Sequence, residues 1–174
     1  MELYRLGIKF FASGERVGLT EFIPIFHEWI QKQIVEDHLL IDVHNYSHMQ
    51  DGPGILLVAH EGNFSIDSSG EGMGFVYYRK QPFDTLADIV KPALKGCRLL
   101  EEDPRMRSRL KFSTDEVVIF ANDRLLAPNT EDSFSHLQPQ LSAALREVLG
   151  KPFNLSRISH DPKERLTIHC RRGL

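Results

Sequence analysis

Residues able to exchange protons or bind ligands are concentrated in the first third of the chain. Five of the eight histidines fall within the first sixty positions, with aspartate and glutamate residues among them. A histidine oriented by a carboxylate can transfer a proton near neutral pH. The candidate catalytic residues are Asp42, His44, His60 and Glu61, and the candidate ligand contacts are His48, Asn63 and Arg79.

Asp42 and His44 lie two residues apart in a segment, 39–44, that has the composition of a strand. Because strand side chains alternate between the two faces, this pair shares a face. The next predicted strand, 54–60, ends at His60 and follows a turn-rich loop, so it is expected to pair with the strand at 39–44. In this hypothesis Asp42 orients a histidine, and His44 or His60 exchanges the proton.

The other candidates would position the ligand. Glu61 and Asn63 follow His60 directly, and His48 lies in the preceding loop, where functional groups are common. Arg79 lies near the end of a further predicted strand and is a candidate contact for an anionic group.

Two other interpretations of this cluster remain open. Imidazole and carboxylate groups also suit zinc, iron, nickel or manganese. The segment HEGNF, residues 60–64, begins like the HExxH zinc motif but lacks its second histidine, so no metal centre is predicted. The interpretation we favour on spacing alone is structural: these side chains cap loops and bond to backbone groups.

Two further groupings have structural explanations that we favour. Gly70, Gly72 and Gly74 precede a strand rather than a helix, which indicates a hairpin loop and not a phosphate loop. Four cations alternate along residues 105–112, where they could bind phosphate or an acidic partner. Along a predicted edge strand, such cations also prevent edge-to-edge aggregation.

Hydrophobic periodicity predicts an α+β fold. Apolar residues at three- and four-residue steps indicate three helices, at 21–36, 85–101 and 131–149, with Thr20 and Asp84 as caps of the first two. Strand patterns occur at 2–12, 39–44, 54–60, 73–80, 105–112, 116–121, 153–160 and 165–171. We expect a single domain, residues 1–174, with a mixed, mostly antiparallel sheet and about three helices packed on one face.

Composition narrows the class of protein. The net charge is −3, from 21 basic and 24 acidic residues, which makes nucleic-acid binding an unfavoured function. No apolar run has the length of a membrane span, and charges interrupt the first residues, so neither a membrane segment nor a secretory signal is predicted. Two cysteines are too few for a disulfide framework, and a cytoplasmic location is expected.

Two functions follow as hypotheses. The first is a protein that binds or acts on a small ligand at the His/Asp/Glu cluster of the second and third strands. The second is a non-catalytic interaction protein, whose sheet forms a homodimer or meets a protein partner. The sequence assigns no cofactor to either.

Overall fold

The chain forms one antiparallel sheet with three helices. The computed structural model describes residues 5–14, 17–70 and 72–174. The strands are β1 (Leu6–Gly14), β2 (Leu40–Tyr46), β3 (Gly54–Ala59), β4 (Gly62–Asp67), β5 (Gly74–Arg79), β6 (Leu110–Ala121), β7 (Phe153–Arg157) and β8 (Thr167–Arg172). The helices are α1 (Ile23–Lys32), preceded by a short 3-10 turn, α2 (Ala87–Glu102) and α3 (Glu131–Leu149).

The first strand lies in the interior of the sheet. The spatial order is β2-β3-β4-β5-β1-β6-β8-β7, and every pair of neighbours is antiparallel. Strands β2 to β5 follow one another as a meander, which short loops allow. The expected α+β class is therefore confirmed, and the described strands form an antiparallel rather than a mixed sheet.

All three helices cover the same face of the sheet. Alternate strand residues on that face are fully buried and form one continuous core with the apolar stripes of the helices. Ile8 and Phe10 of β1, for example, are buried there, while Lys9 and Phe11 point to the opposite, helix-free face. Within the described part of the chain, no helix is long and apolar enough to cross a membrane.

The three predicted helices are present, but the bounds of two of them differ. Helix α3 has the predicted bounds, whereas α1 begins after the 3-10 turn that contains Thr20 and ends at Lys32, short of the predicted residue 36. Thr20 and Asp84 are not the caps of α1 and α2, whose N-cap residues are Phe22 and Leu86. The roles at α2 are reversed, because the carboxylate of Asp88 accepts hydrogen bonds from the backbone N–H of Asp84 and of its neighbour in the chain.

One strand was missed and another was wrong. Residues 62–67, which were not predicted to be a strand, form β4 in the interior of the sheet. The expected edge strand at 105–112 is mostly turn, and β6 runs without interruption from Leu110 between β1 and β8. Two of the four cations of this segment form ion pairs: Arg105 with Asp103 and Glu28, and Arg109 with Glu21. Local alternation cannot reveal such partners, because one of them is 77 residues away in the chain.

Helix α2 approaches the sheet most closely at Gly96. A Cβ atom added there would lie 2.4 Å from two atoms of the Phe75 ring. Phe75 belongs to a group of aromatic residues beneath the helices, and its ring also contacts Trp29, Phe64 and Phe112. The absence of a side chain at Gly96 therefore sets the distance between α2 and the sheet.

Substituting Gly96→Ala should reduce stability, although glycine to alanine in a helix interior usually stabilises by roughly 0.5–1 kcal/mol. The added methyl group overpacks the Phe75 ring, so we expect a loss of about 1–3 kcal/mol in the free energy of unfolding. Urea unfolding measures it, with Lys95→Ala on the exposed side of α2 as the control. A stabilised Gly96→Ala variant would contradict the close packing.

Candidate functional site

The structure brings Asp42 and His44 together as the sequence predicted. The Asp42 Oδ2 and His44 Nε2 atoms are 3.6 Å apart on the helix-free face of β2, and both side chains are about half exposed. The other carboxylate oxygen of Asp42 accepts a hydrogen bond from the backbone N–H of Val43 at 2.8 Å. The pair lies at the margin of the sheet, because β2 is an edge strand.

His60 and Glu61 lie at the opposite end of the β2–β3 pair. In the antiparallel register His44 faces Leu56, whereas the backbone N–H of His60 bonds to Leu39. Four residues along a strand separate Leu56 from His60, which amounts to about 13 Å. His44 and His60 are therefore separated along the strand pair, and His48 is exposed in the turn after β2.

The Glu61 carboxylate has a structural partner. Its Oε2 atom accepts a hydrogen bond from the backbone N–H of Leu39 at 2.8 Å, which ties the β3–β4 turn to the segment before β2. Burial by itself would raise the pKa of Glu61. The backbone N–H groups of Leu39 and Glu61, together with His38 and His60, outweigh that effect and lower the pKa below its ordinary value.

Arg79 completes a directed chain of hydrogen bonds. His38 Nδ1 lies 2.8 Å from the Glu36 carbonyl oxygen, so this nitrogen carries the hydrogen and Nε2 accepts from the Tyr77 hydroxyl at 2.7 Å. Arg79 Nη1 donates to the same hydroxyl at 3.3 Å, and its other bonds go to the carbonyl oxygens of residues 81 and 82. Burial raises the pKa of Tyr77, which keeps the hydroxyl protonated as a donor to His38.

Metal and thiol chemistry find little support in the described residues. No group of three or more His, Cys, Asp or Glu side chains there could hold a metal ion. Cys97 and Cys170 are free and buried. Burial raises the pKa of Cys170 to about 12 and that of Cys97 well above its ordinary value, so both thiols stay protonated and unreactive near neutral pH.

A groove of about 580 Å³ lies on the helix-free face, over the middle of the sheet. Its floor comes from β3, β4, β5, β1, β6 and β8, and loops at both ends of the strands form its margins. The lining residues are Lys9, Phe11, Asp51, Gly52, Pro53, Leu56, Asn63, Ser65, Asp67, Ser69, Gly70, Val76, Tyr78, Val118, Phe120, Asn122, Ile158, Arg165 and Thr167. We call this feature the sheet groove.

Strand β4 places three polar residues in the sheet groove. Asn63, Ser65 and Asp67 are two residues apart, so they share the helix-free face, while Phe64 and Ile66 are fully buried beneath the helices. Ser65 is only 6% exposed. Its hydroxyl has no hydrogen-bond partner within the part of the chain that the structure describes. A hydroxyl without such a partner on the groove floor is available to a bound molecule.

A buried ion pair closes one end of the groove floor. Lys9 Nζ lies 2.6 Å from Asp67 Oδ1 and donates a second hydrogen bond, 2.8 Å long, to the carbonyl oxygen of Ser69. Both charged side chains are nearly enclosed. The Lys9 stem lies against Gly74, where an added Cβ would be 2.6 Å from Lys9 Cε. The pair thus joins β1 to β4 and holds the 68–70 loop at the groove margin.

Tyr78 and Phe120 form an aromatic surface at the other end. Their ring planes differ by 5° and their centroids are 6.3 Å apart. Gly7 makes this possible, because a Cβ there would lie 2.1 Å from the Phe120 ring. The Arg165 guanidinium stacks over Phe120, with its central carbon 4.1 Å from the ring centroid. Such stacking stabilises a cation beside an aromatic ring.

Of the seven candidate residues predicted from the sequence, Asn63 alone lines the sheet groove. The prediction missed Lys9, Ser65, Asp67 and Arg165. A signal existed for β4, since residues 62–67 alternate polar and apolar side chains. Another lay in the first strand, where Lys9 is a single charge among apolar residues. The sequence around Arg165 does not indicate a binding role, because its contacts with Phe120 and Asn122 are formed by residues distant in the chain.

Comparison of this chain with protein-family models, with curated proteins and with solved structures finds no match. The groove and its side chains are therefore the basis for inferring a function. The predicted roles of Asp42, His44, His60 and Glu61 in catalysis, and of His48 and Arg79 in ligand binding, remain predictions.

The hydrogen bond from Leu39 to Glu61 should make stability depend on pH. The folded-state pKa of Glu61 is lowered, so its contribution is present above the unfolded-state value of 4.5 and is lost as the pH falls through the folded-state value. The free energy of unfolding should therefore fall on acidification, and Glu61→Gln should reduce that fall by about 1 kcal/mol. This value is at the low end for a charged hydrogen bond because Glu61 is partly exposed to solvent.

Urea unfolding at neutral pH and at pH values below 4.5 measures this difference. Glu164→Gln makes the same charge change at an exposed site and is the control. An unchanged acid dependence in Glu61→Gln would show that the contact contributes nothing.

Proposed function

We propose that the protein binds a small organic molecule in the sheet groove. The observation that carries this proposal is the combination of an apolar concave floor with the Ser65 hydroxyl, which bonds to none of the described residues. Small-molecule sites in proteins are typically clefts of about 300–1,000 Å³ with an apolar lining and a few polar groups that fix orientation. The groove volume of about 580 Å³ lies within that range.

The polar groups are placed to orient a ligand. Asn63 is opposite Tyr78 in the β4–β5 register, and Ser65 is the next residue of the same face. The Asn63 amide oxygen makes a 3.4 Å contact with the backbone N–H of Ala59, while the Tyr78 hydroxyl has no hydrogen bond within the described residues. A ligand above β4 and β5 would thus meet an amide and two hydroxyl groups.

Loop residues form the two margins of the groove on this face. Residues 51–53 line the groove on the β3 side, and Ile158 and Arg165 line it on the β8 side. Ile158 is exposed, as is expected of an apolar residue at the margin of a binding site. Asp42 and His44 share the helix-free face one strand outside Leu56, so the predicted acid–base pair would lie beside the ligand rather than beneath it.

A second candidate function is pairing with another chain through β2. This strand ends the sheet and pairs with β3 alone among the described strands. Leu39 is 57% and Ile41 54% exposed beside that edge. An unpaired edge flanked by apolar side chains favours addition of a further strand, from a second copy or a partner. The irregular register between Leu40 and Asp42 works against a long pairing.

The ligand proposal predicts stoichiometric binding of an apolar fluorescent probe. We expect the neutral dye N-phenylnaphthylamine to bind with one molecule per chain. Substituting Val118→Phe fills the groove floor, so it should weaken binding by about tenfold, or about 1.4 kcal/mol. Val58→Phe makes the same change on the same face outside the groove and is the matched control.

Fluorescence titration measures the affinities, and circular dichroism checks that each variant is folded. No binding to the native protein would contradict the proposal, as would equal affinities in the two variants.

Pairing through β2 makes a separate prediction. Sedimentation equilibrium should show a homodimer, and Ile41→Lys should shift it to monomer by placing a charge at the paired edge. Leu125→Lys is the control, because Leu125 is an exposed apolar residue outside the sheet. A native protein that sediments as a monomer removes the dimer, and a dimer unaffected by Ile41→Lys places the interface elsewhere.

A further inference from the structure

Arg165 lines the sheet groove and forms no ion pair with an acidic residue of the described part of the chain. Its Nη1 atom donates a 3.1 Å hydrogen bond to the Asn122 side-chain oxygen, and its guanidinium stacks on Phe120. Within residues 5–14, 17–70 and 72–174, no carboxylate forms an ion pair with it. A guanidinium has five N–H donors. Most of those of Arg165 are therefore available to a ligand.

Arg79, the anion contact that the sequence suggested, contrasts with Arg165. Arg79 donates to the Tyr77 hydroxyl and to two backbone carbonyl oxygens, so its guanidinium is used to hold the loop after β5. It also lies outside the sheet groove, beside a separate cavity lined by His38 and Lys91. Within the sheet groove the candidate anion contact is therefore Arg165.

The charges around the groove favour an anion. Lys9 and Asp67 pair with each other at one end of the floor, and no carboxylate of the described residues forms an ion pair with Arg165 at the other end. The remaining acidic residue of the lining, Asp51, lies on the β3 side of the sheet, away from Arg165 on the β8 side.

The surface beside Arg165 favours a planar ligand. The Tyr78 and Phe120 rings are nearly parallel, and the Arg165 guanidinium covers Phe120. Aromatic groups stack on such surfaces in offset geometry. A ring placed over Tyr78 would lie next to the guanidinium, close enough for an acidic substituent of the ring to reach the Arg165 donors.

We propose that the ligand of the sheet groove is a small aromatic anion, with its acidic group on Arg165 and its ring beside Tyr78 and Phe120. This inference rests on the proposed function, because it assumes that the groove binds a small molecule. It adds the chemical class: one negative charge joined to a planar apolar body. Ser65 and Asn63 would then bond to polar atoms on the far side of that body.

Two dyes with the same ring system test the inference. Anilinonaphthalene sulfonate carries one negative charge, whereas N-phenylnaphthylamine is its neutral counterpart. We expect the native protein to bind the anionic dye about tenfold more tightly, as a charge-assisted pair with arginine allows. Arg165→Gln should remove this preference and leave the affinity for the neutral dye within about twofold.

Control variants separate charge from structure. Arg165→Lys retains the charge and should keep part of the preference, while Arg124→Gln removes an exposed arginine outside the groove and should keep all of it. Equal binding of the two dyes to the native protein would overturn the anion proposal, and so would an equal loss for both dyes in Arg165→Gln. Failure of both dyes to bind would instead overturn the groove as a ligand site.

Discussion

The arrangement of all three helices on one face of the sheet is the constraint on which the other features depend. Alternate residues of the interior strands are buried under the helices, and the residues between them lie on a face that no helix covers. That face is closed in part by its own side chains. Phe120 lies over Gly7, and Lys9 lies over Gly74, so two glycines allow larger neighbours to cover the strands.

The Lys9–Asp67 ion pair organises the open face. It lies between strands β1 and β4, and its lysine also holds the Ser69 carbonyl oxygen. Burying two charges costs solvation, and removing one partner of a buried pair typically costs about 3–5 kcal/mol because the other charge is left unpaired. This end of the floor is therefore polar, and the ion pair there carries no net charge. The aromatic surface of Tyr78 and Phe120 and the Arg165 guanidinium lie at the opposite end.

Strand register explains why the histidine and carboxylate cluster divides. Residues close in sequence around a hairpin lie together at the turn, but residues at opposite ends of the two strands are separated by the length of the strands. His44 and Glu61 fall at opposite ends of the β2–β3 pair. Glu61 and Arg79 are bonded to backbone groups, as the structural interpretation predicts, while Asp42 and His44 form an exposed pair beside the groove.

The sequence by itself determined the α+β class, the three helices, most of the strands and the antiparallel hairpins. These features follow from local periodicity and from loops too short for a crossover. It also determined which side chains of a strand share a face, as with Asp42 and His44. Strand β4 was missed although its alternation is visible, because its glycine and polar residues resemble a loop.

Only the tertiary structure decided the strand order, the position of β1 inside the sheet and hence the groove. Lys9, Ser65 and Arg165 come from strands and loops far apart in the chain, and no spacing rule connects them. Their proximity arises from long-range pairings of β1 with β5 and β6, which bring residues about 70 and 110 positions apart into register. The alternation of a strand predicts which face of the sheet a side chain occupies. Its neighbours on that face depend on how the strands pair across the whole sheet.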